Sequence, residues 1–230
     1  MRKFALVPTR RNPTSEDKTA YHLRDYFGKA GYETHWLIGE SSIFEAIRKK
    51  CKGLNLKPED IVIICHDDIE IFMEPNAFNN LISDSLDSNT GFLGVAGTPS
   101  FGNGAKPCTW WNEKPYGELK GIVWHGGDLM SSYPTYFGKY GRVVVADGVF
   151  LCTTGKVLNS IQLKQPKDFS GAWDFYDIFY TFQAYIKGLH NKVIPIPIRH
   201  ESEGHPRPEW DFNRQSFINL FGKYLPAVVR

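Results

Sequence analysis

Short apolar runs alternate with segments of helical periodicity over the first half of the chain. The runs Phe4–Val7, Thr34–Ile38 and Phe92–Ala96 have strand character, and Ile61–Cys65 is apolar at every position. A strand that is apolar on both faces is typical of a parallel sheet covered by helices on both sides. The pattern therefore predicts βαβ units in an α/β fold.

The first helical segment has a start signal and a stop signal. Thr14 or Ser15 could cap a helix that runs to about Ala30, and Gly31 is a natural stop. The apolar face of this helix would comprise Tyr21, Leu23, Tyr26 and Phe27. This spacing predicts an amphipathic helix after the first strand.

The second half of the chain is less regular. Residues 97–141 are rich in Gly, Pro, Trp and Tyr, which predicts long loops or short antiparallel strands. Strand character resumes at Val143–Ala146 and Val149–Cys152, and a helix is predicted from Trp173 to about Lys187. The run Lys192–Ile198 contains two prolines, so it should form an edge strand or an irregular strand.

Composition and charge narrow the class of protein. The 230 residues are 42% hydrophobic and 23% charged, which is ordinary for a globular chain. The net charge of +2 comes without a block of like charges, so neither nucleic acid nor a bilayer surface is an expected partner. No apolar run approaches the length of a membrane span, and the four cysteines show no C-x-x-C spacing. We expect one cytoplasmic domain over residues 1–230 without an integral membrane segment.

The most informative polar residues follow the apolar run that ends at residue 65. Asp67 and Asp68 are adjacent carboxylates beyond a buried strand, which is costly unless a cation compensates them. If the chain stays extended, His66, Asp68 and Glu70 share one side, where they could bind Mg²⁺ or Mn²⁺. Alternatively, one of the two aspartates caps a helix near Pro75 or forms an Asx turn.

A second acidic pair lies at the start of the helix predicted after Trp173. Asp174 and Asp177 are spaced i,i+3 and would share one helix face. A carboxylate that faces a cleft there could act as general base toward an acceptor hydroxyl. The alternative is that both carboxylates favour the positive end of the helix and cap it.

His200 follows a strand end, as Asp68 does. A neutral imidazole at this position could complete a metal site, and Arg199 or Arg207 could meet a diphosphate. A second histidine, His205, lies close by in the sequence. The alternative is a structural histidine without a ligand.

Aromatic residues make up 14% of the chain and include the pair Trp110 and Trp111 in a segment rich in glycine. Such rings could stack on an acceptor sugar, or they could form a minor core beneath long loops. The pair Asp147-Gly148 would ordinarily form a turn, but its carboxylate could also bind sugar hydroxyls.

Taken in order, these motifs resemble glycosyltransferases of the GT-A fold, and within that fold the family-2-like group that includes streptomycin-biosynthesis-type proteins. The resemblance covers about residues 60–205. It rests on His66-Asp67-Asp68-Ile69-Glu70, Val145-Ala146-Asp147-Gly148, Phe175-Tyr176-Asp177-Ile178 and Ile198-Arg199-His200. It implies a three-layer α/β/α sandwich with a mostly parallel, mixed central sheet.

The first motif resembles the D-x-D element, which in that family holds a divalent cation against the donor diphosphate. Asp68 matches its last acid, and His66 stands in place of its first acid. His200 falls where many members have a further metal ligand. The resemblance thus implies Mn²⁺ or Mg²⁺ held by these three residues.

The resemblance also implies which residues meet the donor. The segment that ends at Pro8 and Thr9 is similar to the first strand of the family, which ends at the nucleotide. It implies donor contacts from Pro8, Thr9 and Arg10, in addition to Asp67 and Asp68.

Asp177 falls where the family has the base that activates the acceptor. The implied reaction is a single, inverting displacement from a nucleotide-sugar to a glycan, a lipid-linked acceptor or a small molecule. Sugar contacts are expected from Trp110, Trp111, Asp147, Gly148, Trp173 and Asp174. Two other functions fit the same residues: a non-catalytic domain that binds carbohydrate or nucleotide-sugar, and a metal-dependent phosphoesterase.

Overall fold

The computed structural model describes residues 1–10, 12–14, 17–128, 130–170, 172–202 and 207–229. The strands of this part of the chain are β1 (Lys3–Pro8), β2 (Glu33–Leu37), β3 (Ile61–Cys65), β4 (Ile69–Ile71), β5 (Thr90–Gly94), β6 (Ala96–Thr98), β7 (Ser100–Phe101), β8 (Glu118–His125), β9 (Tyr133–Gly138), β10 (Gly141–Val143), β11 (Val145–Ala146), β12 (Phe150–Thr154), β13 (His190–Val193), β14 (Ile198–His200) and β15 (Ala227–Val228).

The helices of the same residues are α1 (Lys18–Lys29), α2 (Ile43–Leu54), α3 (Pro75–Ser85), α4 (Gly155–Ser160), α5 (Tyr176–Ile186) and α6 (Pro208–Phe221). Short 3₁₀ helices lie at Trp110–Asn112 and Gly222–Tyr224. Among the described helices, none combines the length and the apolar character that crossing a membrane requires.

A seven-stranded sheet forms the centre of the molecule, in the order β10-β13-β5-β12-β3-β1-β2. β1 is parallel to both β2 and β3, and β13 is parallel to β5. β12 is antiparallel to its neighbours β3 and β5, and β10 is antiparallel to β13. Five strands therefore share one direction, which confirms the predicted mostly parallel, mixed sheet.

Helices cover both faces of this sheet. The chain moves from β1 outward to β2 and then back to β3, so two right-handed crossovers place α1 and α2 on opposite faces. On one face Phe78 of α3 contacts both Tyr26 of α1 and Phe150 of β12. On the other face Phe44 of α2 packs edge-on against Tyr180 of α5. The predicted three-layer α/β/α arrangement is confirmed.

A second sheet extends the first on the side where β3 ends. Its order is β11-β6-β8-β14-β4, and β9 pairs with β8 as an antiparallel hairpin. β14 is antiparallel to β4 and parallel to β8, with His200 opposite Ile69 on one side and His125 on the other. This pairing brings the end of β14 beside the acidic turn that follows β3. The remaining pair, β7 with β15, forms a small separate sheet.

The predicted boundaries of α1 are wrong at its start. The cap is Asp17, whose Oδ1 accepts a hydrogen bond from the Ala20 amide, and not Thr14. The other predicted cap, Ser15, lies outside the described residues. The apolar face includes Leu23, Tyr26 and Phe27 as predicted, but Tyr21 is 65% exposed because it lies on the outer side of the helix.

Two elements in the second half of the chain differ from the prediction made for them. α5 begins at Tyr176 and not at Trp173, because Phe175 has a left-handed backbone conformation with φ of 70°. The run with two prolines divides into β13 and β14, and Pro195 and Pro197 fall in the break between them. A proline cannot donate a ladder hydrogen bond, so the predicted irregularity is confirmed.

Asn191 of β13 is a fully buried amide that ties three parts of the core together. Its Oδ1 accepts a hydrogen bond from the Phe92 amide at 3.0 Å. Its Nδ2 donates to the carbonyl oxygens of Val144 and Thr181, both at 2.8 Å. The side chain thus joins β5, the connection between β10 and β11, and α5. It fixes α5 relative to the turn after β11.

We expect Asn191→Ala to lower the free energy of unfolding by about 3 kcal/mol, because three buried backbone groups lose their partner. Chemical denaturation of both proteins measures this difference. Asn79→Ala is the matched control: Asn79 is half-buried, donates to one carbonyl oxygen and accepts one hydrogen bond from the Lys3 ammonium group. Its cost should stay near 1 kcal/mol. Equal losses in the two variants would contradict the role of Asn191.

Candidate active site

The chain turns sharply at the end of β3. Asp67 and Asp68 lie in this turn, and β4 begins immediately after it. The predicted extended geometry is therefore wrong, and Glu70 pairs with Arg199 instead of joining the other two side chains. The alternative that an aspartate caps the helix near Pro75 is also wrong, because β4 intervenes and Glu74 occupies the cap position.

The turn brings His66 and Asp68 together with His200 of β14. The Nδ1 of His66 lies 3.1 Å from the Nε2 of His200, and Oδ1 of Asp68 lies 3.2 Å from the same Nε2. His66 Nδ1 and Asp68 Oδ1 are 3.9 Å apart. Backbone hydrogen bonds hold this arrangement, since the Glu201 amide donates to the Asp68 carbonyl oxygen. Ser202 adds a hydroxyl 3.0 Å from His200 Nε2.

These three side chains fit a divalent cation. Their donor atoms all lie within 4.8 Å of one another. Adjacent ligands of an octahedral ion with bonds of about 2.1 Å are about 3 Å apart, close to two of the three separations here. Two imidazole nitrogens with one carboxylate oxygen suit Mn²⁺ better than Mg²⁺, which prefers oxygen ligands.

The electrostatics of the cluster favour a bound cation. Burial alone would raise the pKa of Asp68, but the hydrogen bond and charge of His200 outweigh it, so this pKa lies well below its usual range. Burial, reinforced by the charge of His200, lowers the pKa of His66. His200 is itself buried, yet the Asp68 carboxylate raises its pKa. Asp68 is thus ionised, His66 favours its neutral form, and a cation at the site would compete with a proton for His200.

A cavity of about 440 Å³ opens on one side of the cluster. Its lining residues are Pro8, Thr9, Arg10, Ile43, His66, Asp67, Asp68, Trp173, Ser202 and Arg207. All five residues predicted to meet the donor are among them. The Thr9 hydroxyl donates to Asp67 at 2.5 Å, so the first strand end and the acidic turn are linked directly. We call this space the first cavity.

Two arginines border the first cavity. The Arg10 guanidinium lies over the Trp173 ring, 5.0 Å from its centroid, and Arg207 forms an ion pair with Asp174 at 2.7 Å. Burial, and next the charge of Arg207, lowers the pKa of Arg10, which indicates that the two cations are close to each other. An anion in this cavity would relieve their repulsion. Trp173 and Asp174 therefore lie on this side of the site, whereas the sequence predicted them beside the acceptor.

Arg199 cannot contact a ligand in the first cavity. Its side chain is 4% exposed, forms an ion pair with Glu70 at 2.9 Å and donates to the Gly126 carbonyl oxygen at 2.6 Å. The predicted diphosphate contact from Arg199 is wrong because its guanidinium is committed to these buried partners. Its place in β14 beside His200 indicates that it fixes the strand that carries this candidate metal ligand.

A second cavity, of about 380 Å³, lies on the other side of His66. Its lining residues are His66, Ala96, Trp110, Trp111, Tyr116, Val123, His125, Tyr133, Thr135, Phe137, Asp147, Val149 and His200. Trp110 is also buried against Phe137, with ring centroids 5.2 Å apart, so the pair of tryptophans combines a packing role with a place in the cavity wall. His66 lines both cavities.

Asp147 and Asp177 meet at the turn after β11. Asp147 Oδ1 accepts a hydrogen bond from the Val149 amide at 2.9 Å, so the predicted turn does form. Asp177 Oδ2 accepts from the Gly148 amide at 2.8 Å, and Tyr176 donates to the Gly148 carbonyl oxygen. A Cβ atom on Gly148 would lie 2.5 Å from the Tyr176 hydroxyl, which explains the glycine. Burial, and next the charge of Asp147, raises the pKa of Asp177 to about 7.

Some residues of this site were not predicted. Ser202 and the cavity residues Tyr116, Tyr133 and Thr135 were missed. The period-two alternation of β9 contained a signal, since Tyr133, Thr135 and Phe137 share one face of the strand.

Two further predictions concern residues near the site. His205, the second histidine near His200 in the sequence, lies outside the described residues. Asp174 and Asp177 do not share a helix face, because α5 begins after Asp174.

Comparison of the sequence with protein-family models and with curated proteins finds no match. Among solved structures, A197 from STIV is similar at a TM-score of 0.51 and 11% identity, over 88% of this chain and 87% of that one. GalNAc-T7, crystallised with UDP, GalNAc and Mn²⁺, is similar at a TM-score of 0.53 and 10% identity. That match covers 96% of this chain and 48% of GalNAc-T7, so the chain spans about half of its length.

CMP:2-keto-3-deoxy-manno-octonic acid synthetase, crystallised with CTP, is similar at a TM-score of 0.44 and 10% identity, over 98% of this chain and 100% of that chain. At identities this low, structural similarity shows the fold and not the reaction. With a TM-score of 0.53, the match to GalNAc-T7 shows that this chain has a GT-A-like fold.

We expect the wild-type chain to bind one Mn²⁺ and His200→Ala to lose at least about tenfold in affinity. Calorimetric titration with the metal alone measures this. His125→Ala is the matched control, because its ring centroid is 6.0 Å from that of His200 but it is not one of the three cluster residues. Equal affinity in the wild type and His200→Ala would remove His200 from the metal site.

Proposed function

We propose that this chain transfers a sugar from a nucleotide-diphosphate-sugar to an acceptor hydroxyl. One observation carries the proposal: His66, a member of the candidate metal cluster, forms a wall shared by two cavities of different character. The first cavity is polar and has two arginines, and the second is lined by aromatic rings. Such an arrangement suits two substrates that react across a common boundary.

The first cavity suits the donor. Arg10 and Arg207 would contact the phosphates, since guanidinium groups bind phosphate oxygens well. Thr9 and Asp67 would hold the nucleotide end at the first strand. Mn²⁺ or Mg²⁺ held by the three cluster residues would neutralise the charge that develops on the leaving diphosphate. The crystallised GalNAc-T7 complex supports this assignment, because its fold is similar and it holds UDP and Mn²⁺.

The second cavity suits the acceptor, and Asp177 is the proposed base. Its pKa near 7 is suited to taking a proton from an attacking hydroxyl at neutral pH. The Gly148 amide orients its carboxylate, and Asp147, which lines the cavity, would bind an acceptor hydroxyl. A single attack from this side would invert the anomeric centre. The closer relation to streptomycin-biosynthesis-type proteins stays a prediction.

The two other functions are less well supported. A phosphoesterase with two metal ions about 3.5–4 Å apart needs more ligands than the three-residue cluster found among the described residues. A binding domain without turnover would not require a carboxylate whose pKa is raised close to neutrality in contact with the turn that carries Asp147, a residue of the second cavity. Transfer of the sugar to an acceptor hydroxyl, as opposed to hydrolysis or binding alone, therefore separates the proposed function from both alternatives.

A thermal-shift screen of nucleoside diphosphates and nucleotide-sugars, with and without Mn²⁺, tests the donor site. At about 100 times the Kd, a true ligand should raise the Tm by about 5 °C. Asp68→Ala should fold, lose the Mn²⁺-dependent part of this shift and lose transfer activity. Asp25→Ala, which removes an exposed carboxylate, is the control and should behave as wild type. Full activity in Asp68→Ala would refute the metal role.

For Asp177→Asn we expect kcat to fall by about 10²–10⁴-fold with donor binding retained. Wild-type turnover should rise with pH through about 7 as Asp177 ionises.

The same substitution should stabilise the fold at pH 8. Because burial and Asp147 raise the folded-state pKa above the unfolded value of about 3.9, ionisation destabilises the native state increasingly up to about pH 7. Asp177→Asn should therefore gain about 1 kcal/mol or more at pH 8 and little at pH 4. Unchanged turnover would remove Asp177 as base, and unchanged stability would contradict its burial as an ionised group.

A further inference from the structure

The geometry points to an oligosaccharide as the acceptor, bound through at least two sugar units along the second cavity. The identification as acceptor rests on the proposed function, whereas the binding itself does not. Two rows of rings carry the inference. The first row begins at the metal cluster, and each row ends at an exposed tyrosine.

The first row continues outward from the metal cluster. The ring centroids of His66 and His200 are 5.1 Å apart, those of His200 and His125 are 6.0 Å apart, and those of His125 and Tyr133 are 5.9 Å apart. His200 is buried, whereas Tyr133 is 47% exposed. This wall therefore continues from the cluster to the protein surface.

The second row follows the 3₁₀ helix and β9. Trp111 packs edge-on against Trp110 at 5.8 Å, Trp110 contacts Phe137 at 5.2 Å, and Phe137 contacts Tyr116 at 5.5 Å. Trp110 and Phe137 are buried, and Tyr116 is 63% exposed. All eight rings of the two rows line the same cavity. It is thus bordered by aromatic surface from the cluster outward.

Polar groups among these rings favour a saccharide over a hydrocarbon chain. Asp147, His125 and Thr135 line the cavity together with the aromatic side chains. A pyranose ring has faces of C–H groups, which stack on aromatic rings, and an edge of hydroxyls, which can bond to these polar side chains. A lipid chain would desolvate the Asp147 carboxylate without offering it a hydrogen bond. A single sugar at the cluster would leave the outer tyrosines without a ligand.

The test begins with the full chain on an array of immobilised glycans of varied composition. The glycan that binds is then compared as one, two and three soluble sugar units by calorimetry. We expect affinity to rise about tenfold from one unit to three. Tyr133→Ala and Tyr116→Ala should each lose most of this gain, and both residues are exposed enough for the variants to fold.

Tyr136→Ala is the matched control. Tyr136 lies on the same strand as Tyr133, is 55% exposed and is not part of the cavity wall, because alternate residues of a strand point to opposite faces. It should keep the full gain with length. An equal loss in Tyr136→Ala, or equal affinity for one unit and three, would overturn the inference.

Binding of UDP with Mn²⁺, measured separately, distinguishes the two proposals. If UDP binds but no glycan on the array does, the oligosaccharide site is refuted and the donor site stands. If vesicles that contain a polyprenyl phosphate bind in place of every glycan, the acceptor is a lipid and the inference also fails. If glycans bind with the expected length dependence but UDP does not, the transferase proposal fails and the saccharide site remains.

Discussion

A carboxylate that follows a buried strand is tolerated only beside compensating charge, and this constraint organises the functional end of the molecule. Asp68 is only 17% exposed at its side chain, and its neighbour in space is an imidazole whose pKa the carboxylate raises. That imidazole belongs to His200, 134 residues beyond His66 in the chain. The second sheet, the β4–β14 pairing and the Arg199–Glu70 ion pair all serve to bring these groups together.

The central sheet and its helical layers could be predicted from the sequence because they depend on local signals. Ile61–Cys65 is apolar throughout, and a strand of that composition has to lie between helical layers. The wrong boundaries have local causes too. The Asp17 cap competes with equally plausible polar residues nearby, and the left-handed backbone of Phe175 leaves no trace in the hydrophobic pattern.

The site was predicted as separate motifs, and only part of their arrangement could be inferred from the sequence. Asp68 and His200 lie at strand ends, so their meeting followed from the expected topology. The burial of Arg199 could not be predicted in this way. An arginine next to a candidate metal ligand gives the same sequence pattern whether its side chain enters the cavity or pairs with a buried glutamate. Tyr116 and Tyr133 are brought to one cavity by the β8–β9 hairpin, which no residue pattern between 97 and 141 specified in register.

His66 belongs to the walls of both cavities, and this has a thermodynamic consequence. A ligand that fills the first cavity and shifts this ring would change the surface that a ligand of the second cavity contacts. The affinities of the two cavities for their ligands would then be linked, with the same magnitude whichever ligand binds first. Replacing this one imidazole would change the coupling between binding at the two cavities as well as the chemistry of the site.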